Sequence, residues 1–399
     1  MPSRPVLLEA GEWCYSAVWG GHAWREHHNP VDHFLPAGSI SLSFVSEYEK
    51  IIKHEPWGKH SVISRFISRL LAIVVIGVIC LPSSSWSAER YILATATTGG
   101  TYYPVGVALS TLIKVKLEPT TGISLSAISS AGSAENIKLM ADNEAQFAIL
   151  QGLYGAWAWN GSGAMQQIGP QKKLRAVTML WQNVEHFAIF NHYVESGNMD
   201  DMKLMAGKKF SIGVRNSGTE GSGRFILEGL GYDPDSLLNL VYLGYGPSAS
   251  AIQNNTIEGF NIPAGVPVGA VTQAYAALGE NLHILGFTAE QITRANQGLD
   301  LWTPYTIPAN TYPSQIKPVQ TMAQPNFLAV RSDVPEATVY AITKAIYQNL
   351  AFLNGIHKAT RDMALDKAIV GLPMPLHPGA LRFFKESGLT IPGKLIARD

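Results

Sequence analysis

A repeated unit of apolar strand, short polar turn and amphipathic helix dominates the chain from Tyr91 onward and most constrains its fold. Residues 91–97 have the composition of a strand, the turn 98–101 follows, and helical spacing of apolar residues continues over 102–117. A second unit occupies residues 123–150. Repeated units of this kind predict an α/β fold in which mostly parallel sheets are flanked by helices.

Hydroxyl and glycine residues recur in the turns that leave the carboxyl ends of these strands. They occur over 98–101, 129–133 and 215–220, each directly before a predicted helix. Free backbone N–H groups at a helix start attract a carboxylate or another small anion. Each turn alone is more often an ordinary helix cap, but their recurrence at equivalent positions favours a shared ligand site at the strand ends.

Arg215 is the only cation in these turns. Its guanidinium could bind a carboxylate through two parallel hydrogen bonds. The alternatives are a solvent-exposed loop arginine and a structural ion pair. We therefore include Arg215 as a candidate ligand-binding residue, and we expect Arg215→Ala to weaken binding of an acidic ligand by about 2 kcal/mol if the contact is buried.

The charge balance and the position of the cysteines exclude several classes of function. The chain has 30 basic and 30 acidic residues and no long basic run, which argues against a nucleic-acid partner. Both cysteines, Cys14 and Cys80, precede residue 88. The rest of the chain therefore has no disulfide, thiolate nucleophile or cysteine metal site.

A secretory signal peptide is predicted over residues 65–88. A basic segment with Arg65 and Arg69 precedes twelve apolar residues, and small residues then suit cleavage after Ala88. A helix of twelve residues spans about 18 Å, which is short of the roughly 30 Å hydrocarbon core of a bilayer. A cleavable signal is therefore favoured over a membrane anchor or a buried helix.

Residues 1–64 precede that signal, although secretory signals stand at the start of a protein. We hypothesise that translation starts near Val62 and that residues 1–64 are a non-native extension. The alternative is a disordered cytoplasmic extension. His27, His28 and His33 lie close together in this segment, but no motif supports a metal site there.

The sequence lacks the motifs of common enzymes. It contains no Gly-x-Ser-x-Gly elbow, no His-Glu-x-x-His helix and no Gly-x-x-x-x-Gly-Lys-Ser/Thr loop, since Leu395 follows the only partial match, Gly388 to Lys394. Glu135 and Glu220 could form an acid and base pair, although a glutamate at a helix start more often caps that helix. No metal-ligand spacing links the histidines beyond residue 88, namely His186, His192, His283, His357 and His377. We therefore expect no catalysis, no cofactor and no metal, and for His377 a capping or packing role.

Six short motifs are distributed in order over residues 90–390. They are Thr98-Gly-Gly-Thr-Tyr-Tyr-Pro-Val-Gly106, Ser130-Ala-Gly-Ser-Ala-Glu-Asn-Ile137, Gln146-Phe-Ala-Ile-Leu-Gln151, Asn216-Ser-Gly-Thr-Glu220, Ile307-Pro-Ala-Asn-Thr-Tyr-Pro313 and Gly371-Leu-Pro-Met-Pro-Leu-His-Pro-Gly379. Together they resemble the TAXI family, the extracytoplasmic solute receptors of tripartite ATP-independent periplasmic (TRAP) transporters.

The resemblance implies a fold and a function. The fold would be the two-lobed periplasmic-binding-protein fold, type II like, with the ligand in the cleft between the lobes. The function would be to capture a small organic acid in the periplasm, either an amino acid such as glutamate or glutamine or a dicarboxylate. Lobe closure would then deliver this ligand to a TRAP permease, the only membrane contact besides the transient signal peptide. The alternatives are a ligand-sensing module and a receptor for an ABC transporter.

The lobes can be assigned to segments of the chain. Lobe 1 would contain residues 89–183, lobe 2 residues 184–310, and residues 311–399 would return to lobe 1 and supply the C-terminal helices. Strands of lobe 2 are predicted near 209–214, 239–243, 257–262 and 282–286, and C-terminal helices over 335–352 and 378–387.

Ligand-binding positions carry over from the matching motifs, and Arg215 is added to them. The set is Thr98, Gly100, Thr101, Tyr102, Ser130, Gly132, Ser133, Gln151, Arg215, Ser217, Gly218, Thr219, Ala264, Gly265 and Val266. The chain departs from the family pattern at Ala131, at Arg215-Asn216 and over 244–248, so a ligand other than glutamate is possible. Aromatic residues could stack on the ligand or pack in the core, namely Tyr102, Tyr103, Tyr154, Trp157 and Trp159.

Overall fold

The computed structural model describes residues 88–397 as an α/β fold with two sheets, one in each of two lobes. The first segment of lobe 1 follows the predicted βα pattern closely. Its elements are β1 (Glu89–Ala94), α1 (Tyr102–Lys116), α2 (Glu118–Thr121), β2 (Ile123–Ile128), α3 (Ser133–Ala141), β3 (Phe147–Gln151), α4 (Gly152–Asn160) and β4 (Leu174–Val184).

Lobe 2 follows directly and contains the four strands predicted for it, together with one additional strand, β5. Its elements are β5 (Phe187–Phe190), β6 (Lys209–Ser211), α5 (Gly218–Gly229), α6 (Pro234–Leu237), β7 (Asn239–Val241), α7 (Tyr245–Gln253), β8 (Gly259–Asn261), α8 (Gly269–Leu278), β9 (Leu282–Ile284) and α9 (Ala289–Asn296).

The chain then returns to the sheet of lobe 1. The returning elements are β10 (Thr303–Ile307), β11 (Val319–Arg331), α10 (Glu336–Gln348), α11 (Leu350–Ile356) and α12 (Pro378–Glu386). The predicted boundaries place β10 in lobe 2, but it pairs with β11 in the sheet of lobe 1. The helix predicted over 335–352 is divided at Asn349 into α10 and α11.

The two sheets share one strand order. The sheet of lobe 1 runs β10-β11-β3-β1-β2, with β4 also paired to β11, and the sheet of lobe 2 runs β7-β6-β8-β5-β9. In each lobe the strands of the βα units therefore stand in the order second, first, third, and the next strand, β11 or β5, is antiparallel to the third. The predicted α/β class with two lobes is confirmed.

The sheets are mixed, which corrects the expectation of mostly parallel pairing. β1 pairs in parallel with β2 and β3, and β6 pairs in parallel with β7 and β8. In contrast, β11 is antiparallel to β3, β4 and β10, and β5 is antiparallel to β8 and β9. The antiparallel pairs arise where the chain crosses between the lobes or returns, and the βα pattern does not include these connections.

Helix α1 shows how the apolar spacing directs packing. Val105, Leu109 and Leu112 are at most 2 % exposed, and the helix packs against β2. Burial of each such side chain contributes about 1.5–3 kcal/mol. Lys116, at the end of the helix, is exposed. The buried stripe holds the N-terminus of α1 at the carboxyl end of β1.

Aromatic side chains join the lobes beside the cleft. Trp157 of α4 meets the edge of Phe225 of α5, with ring centres 5.6 Å apart, and Phe225 stacks on Trp302 at 5.8 Å. Tyr154 lies edge-on to Trp157 at 5.1 Å. These contacts bring α4 of lobe 1 against α5 of lobe 2, so the described conformation is closed on this side.

Several predictions fall on the segment before Ala88. The N-terminal extension, the signal peptide up to its last residue, both cysteines and the histidines at 27, 28 and 33 lie outside the described residues. Within residues 88–397, no helix combines the length and apolar character needed to cross a membrane.

Candidate functional site

A cavity lies between the two lobes, at the carboxyl ends of strands β1, β3, β6 and β8. About 470 Å³ of space free of protein atoms separates the facing walls, part of it open to solvent. The walls consist mainly of turns and of the first residues of helices. This is the position at which α/β sheets bind ligands.

Five helix starts contribute to the walls, and we call them the helix-start rim. Lobe 1 supplies the starts of α1, α3 and α4, and lobe 2 supplies those of α5 and α7. The rim residues are Thr101, Tyr102, Gly132, Ser133, Gln151, Ser217, Gly218, Thr219, Gly244 and Tyr245. Each helix start carries partial positive charge, so their convergence favours a negative ligand group.

The rim leaves backbone donors available. The starts of α1, α3 and α7 have no side-chain cap. In α5, the Ser217 hydroxyl accepts a hydrogen bond from the Glu220 N–H at 3.0 Å. In α4, the Leu153 N–H donates to Gln324 Oε1 at 2.9 Å. Uncapped N–H groups of a first helical turn need partners, and a bound anion supplies them.

Glycine allows the walls to approach each other. A Cβ atom on Gly218 of lobe 2 would lie 2.8 Å from Gln151 Cδ and 2.9 Å from Ser133 Oγ of lobe 1. Beside the cavity, a Cβ atom on Gly221 would lie 2.0 Å from the Tyr154 hydroxyl oxygen. Any side chain at these two positions would hold the lobes apart, because a Cβ atom is not found so close to a non-bonded atom.

Ten of the fifteen predicted ligand-binding residues line the cavity. They are Gly100, Thr101, Tyr102, Gly132, Ser133, Gln151, Ser217, Gly218, Thr219 and Ala264. Residues from three distant parts of the sequence therefore face one space. Their contact with a ligand stays a prediction.

Three of the other predicted residues lie away from the lining. Thr98 is exposed at the tip of its turn. The Ser130 hydroxyl donates to the carbonyl oxygen of Thr95 at 3.0 Å. Arg215 is exposed, and its guanidinium lies 3.7 Å from the centre of the Tyr242 ring. The structure thus assigns Arg215 to a stacking contact on the surface of lobe 2, because the aromatic face attracts the cation.

Gly265 and Val266 also lie off the lining, although Gly265 contacts a rim residue. The Thr101 hydroxyl accepts from the Gly265 N–H at 3.1 Å and lies 3.2 Å from its carbonyl oxygen. A Cβ atom on Gly265 would lie 2.5 Å from Ala359 Cβ and 2.7 Å from the Trp181 ring. These contacts anchor the start of α1 in lobe 1 to the loop between β8 and α8 of lobe 2.

The side chains considered for acid–base chemistry act as caps. Glu135 accepts from the Ala131 N–H, and Glu220 accepts from the Asn216 N–H at 2.8 Å. The capping role predicted for His377 is confirmed, since its Nδ1 accepts from the Gly379 N–H at 3.2 Å. In the part of the chain that the structure describes, no group of three or more His, Cys, Asp or Glu side chains could hold a metal ion.

The five candidate aromatic residues divide between the cavity and the packing around it. Tyr102 lines the cavity, whereas Tyr154 and Trp157 form the contact between α4 and α5. Trp159 lies under the Lys172 ammonium, which is 4.2 Å from its ring centre. Tyr103 is half-buried outside the lining. Of these five residues, only Tyr102 lines the cavity.

Behind the rim lies a group of buried polar side chains that the sequence analysis did not identify. We call it the polar floor. Asn183 is directly opposite Gln324 and Trp181 directly opposite Asn326 in the paired strands β4 and β11. Opposite residues of paired strands point to the same face of a sheet, so these four side chains share one face. The floor comprises Trp181, Asn183, Glu185, Asn261, Gln324 and Asn326, each at most 1 % exposed.

Hydrogen bonds connect the floor to the rim. The Tyr102 hydroxyl donates to Asn326 Oδ1 at 2.6 Å, and the Trp181 ring lies edge-on to the Tyr102 ring at 5.8 Å. Gln151 of the rim is directly opposite Asn326 in the pair β3–β11. The floor therefore adjoins the rim, directly behind the cavity wall.

Many polar atoms of the floor have no hydrogen-bond partner among the described residues. Buried polar groups are nearly always paired with protein, ordered water or a ligand, so these atoms are available to a polar partner of that kind. The unpaired atoms are Trp181 Nε1, Asn183 Nδ2 and Oδ1, Glu185 Oε2, Asn261 Nδ2 and Oδ1, Gln324 Nε2 and Asn326 Nδ2, together with Gln151 Oε1 of the rim.

Glu185 is the ionisable member of the floor. Trp302 Nε1 donates to its Oε1 at 3.0 Å. Burial raises the pKa of this carboxyl to about 7, although the Trp302 bond and the nearby amides of Asn261 and Gln324 act in the opposite direction. Near neutral pH, the carboxyl is thus close to the midpoint of its titration.

A sequence signal for the floor exists, although it is weak. Trp181, Asn183 and Glu185 stand at alternate positions at the end of β4 and just beyond it, and Gln324 and Asn326 do so in β11. Such alternation usually marks a strand with one face in solvent. The structure shows instead that these side chains are buried.

A comparison with protein families identifies the family of this chain. A family model described as the NMT1-like family matches residues 93–388. The chain belongs to the NMT1-like family. The matched segment contains the whole rim and the whole floor, so the complete cleft is part of the NMT1-like family domain.

Solved structures with a similar arrangement are distant. The periplasmic aliphatic sulphonate binding protein SsuA from Escherichia coli is 11% identical, with a TM-score of 0.40, over 75% of this chain and 91% of its own. MatC from Rhodopseudomonas palustris with bound malate is 11% identical, with a TM-score of 0.47, over 75% of this chain and 97% of its own. An amino acid ABC transporter substrate-binding protein from Streptococcus pneumoniae, bound to L-arginine, is 12% identical with a TM-score of 0.40, over 68% of this chain and 94% of its own.

Proposed function

We propose that this protein is a receptor that captures a small organic acid in the cleft between its lobes. The convergence of five helix starts from two lobes on one cavity supports this proposal. A carboxylate there would accept hydrogen bonds from backbone N–H groups and rim hydroxyls and would benefit from the helix dipoles. The bound acid undergoes no reaction in this proposal.

The residues that line the cavity are uncharged. Neutral donors can bind an anion without first losing the hydration of a charged side chain, which makes closure less costly. The donors are divided between the lobes, so the full set surrounds the ligand only in the closed form. A ligand shifts the protein toward closure by the difference between its affinities for the closed and open forms.

The proposed delivery partner is a TRAP permease in the membrane. The motifs around residues 98–106, 130–137 and 371–379, which resemble those of TAXI receptors, support this part of the proposal. The predicted signal peptide would place the mature protein in the periplasm, where it would meet the ligand and the permease. Membrane contact would occur only through the permease and, transiently, through the signal peptide.

Ligand screening tests the receptor proposal. Purified protein is heated with amino acids and dicarboxylates, with uncharged amides and alcohols of the same size as controls. A bound acid should raise the melting temperature in proportion to the logarithm of its concentration once the sites are saturated. Stabilisation by the acids and not by the controls is the expected result. Equal stabilisation by both groups would contradict binding through a carboxylate.

A transport assay tests the partner. Proteoliposomes that contain a TRAP permease should take up the identified acid when this receptor and an ion gradient are present and ATP is absent. Uptake only into proteoliposomes that contain an ABC transporter and ATP would instead identify a receptor for an ABC transporter. Cross-linking only to a signalling protein would identify a sensing module.

A further inference from the structure

The polar floor has the position and the chemistry of a ligand subsite. It adjoins the cavity wall, because Tyr102 and Gln151 line the cavity and neighbour Asn326 of the floor. On the side of lobe 2, Asn261 ends strand β8 and precedes the cavity residue Pro263 by two positions. The floor therefore lies behind the cavity wall, where the chain leads from β4 of lobe 1 into lobe 2.

The unpaired atoms of the floor are of both kinds. Amide and indole N–H groups offer donors, and the oxygen atoms of Asn183, Asn261 and Glu185 offer acceptors. A ligand that ended in hydrocarbon would leave all of them unsatisfied, at a cost for each group. The part of the ligand that faces the floor must therefore carry polar hydrogen atoms as well as acceptors.

The carboxyl group of Glu185 distinguishes between dicarboxylates and amino acids as ligands. A second carboxylate placed beside it would bring two negative groups together in a buried site, which is unfavourable unless one of them binds a proton. An ammonium group would instead pair with Oε2, which has no partner among the residues described. A buried carboxylate gains most from a partner that is itself charged and donates hydrogen bonds.

We propose that Glu185 binds the ammonium group of an amino acid whose carboxylate lies at the helix-start rim, so that the receptor selects amino acids over dicarboxylates. This inference rests on the proposed receptor function and narrows its ligand class. Gln324 and Asn261 flank the carboxyl and would orient the ammonium group or hydrogen-bond to the ligand side chain.

Paired ligands test the selection. Isothermal titration calorimetry is run with the twenty common L-amino acids and with carboxylic acids that lack only the ammonium group, such as glutarate for glutamate and propionate for alanine. At least one amino acid should bind tenfold or more tightly than its partner acid. If succinate, glutarate or 2-oxoglutarate binds as tightly as any amino acid, the inference is wrong and the receptor function stands. If neither class binds, the receptor function itself is wrong.

A substitution at the floor tests the role of Glu185. Glu185→Gln keeps the size of the side chain and an oxygen acceptor for Trp302, but removes the negative charge. Affinity for the amino acid should fall tenfold or more, while affinity for the partner acid should change less than twofold. Equal losses for both ligands would show a structural role and overturn the inference. Glu280→Gln, which removes the same charge at an exposed position of lobe 2, is the matched control and should change neither affinity.

A measurement on the wild-type protein tests the inference without depending on the folding of the variant. Titration at pH 7 in two buffers of different ionisation enthalpy gives the number of protons released on binding. Tyr245 and His186 are titratable neighbours of Glu185, but burial raises the pKa of Tyr245 far above neutrality and lowers that of His186 to about 4. An ammonium group beside Glu185 should release a fraction of a proton per ligand, because the pair favours the ionised carboxyl. No release, or proton uptake, would overturn the inference.

Discussion

The rim and the floor both offer polar groups to a ligand, but the groups differ in kind and in burial. The rim presents backbone N–H groups and hydroxyls at five helix starts, and it carries no charged side chain. The floor presents side chains that are at most 1 % exposed, and one of them is a carboxyl group. In our proposals the rim would bind any small anion, whereas the floor would select the group that accompanies it.

This difference has an energetic origin. Helix-start N–H groups lack partners within the helix whether or not a ligand is bound, so a rim site costs the fold little. Burying a carboxyl and several unpaired amides costs several kcal/mol unless a partner compensates for them. A floor of this composition is costly to the unliganded closed form, and a matching ligand would remove that cost.

The largest expected effect concerns the stability cost of the floor. Burial raises the pKa of Glu185 from 4.5 to about 7, so the folded protein binds this proton more tightly than the unfolded chain does. The stabilisation from this group is complete below about pH 4.5 and is lost as the pH rises through 7. Relative to wild type, Glu185→Gln should therefore gain up to about 3 kcal/mol between pH 5 and pH 8. Urea denaturation without ligand, at several pH values, gives this difference, and parallel curves for the two proteins would contradict it.

The next effect concerns closure over the rim. Gly221→Ala places a methyl group where the Tyr154 hydroxyl oxygen lies only 2.0 Å away, so the lobes should close incompletely. We expect a loss of about 2 kcal/mol in ligand binding, roughly a 30-fold increase in Kd. Calorimetry with the identified ligand measures the change. Gly246→Ala is the control, because a Cβ atom there has no neighbour within 4 Å. Equal affinity of both variants would show that Gly221 does not limit closure.

A smaller effect should follow from removal of the hydrogen bond that joins the rim to the floor. Tyr102→Phe removes the hydroxyl that donates to Asn326 Oδ1 at 2.6 Å and leaves that buried amide without a partner in the described part of the chain. We expect a loss of about 1–2 kcal/mol in the free energy of unfolding. Thermal or chemical denaturation tests this value. Full stability in the variant would show that the amide finds another partner.

The smallest effect is expected at Arg215. Its guanidinium stacks on Tyr242 at the surface, outside the cavity lining, so Arg215→Ala should change ligand affinity by less than about 0.5 kcal/mol. This replaces the larger loss expected from the sequence for a buried contact. Calorimetry decides between the two values, and a loss near 2 kcal/mol would return Arg215 to the ligand site.

Local patterns predicted the rim well and the floor hardly at all. The turns before α1, α3 and α5 were recognisable because a strand end, a hydroxyl, a glycine and a helix start follow one another within a few residues. The floor brings Asn183, Asn261 and Gln324 together from widely separated segments. No local feature of β4 indicates that the polar side chains on this face are buried.

Arg215 shows the same division at a single residue. The sequence placed a cation in a turn that leads to the cleft, and that turn does lie there. The direction of the side chain depends on Tyr242, at the end of a neighbouring strand, and the stacking contact takes the guanidinium out of the cleft. Spacing along the chain contains no information about such a contact.

The sequence by itself determined the βα units, the helix starts and therefore the donors of the rim, because strand, turn and helix form through interactions between residues close in the chain. The tertiary structure alone decided which strands run antiparallel, how closely the glycines let the lobes approach, and that Glu185 stands among amides at the floor. These features depend on contacts between residues far apart in sequence, where register and burial, rather than local preference, set which atoms meet.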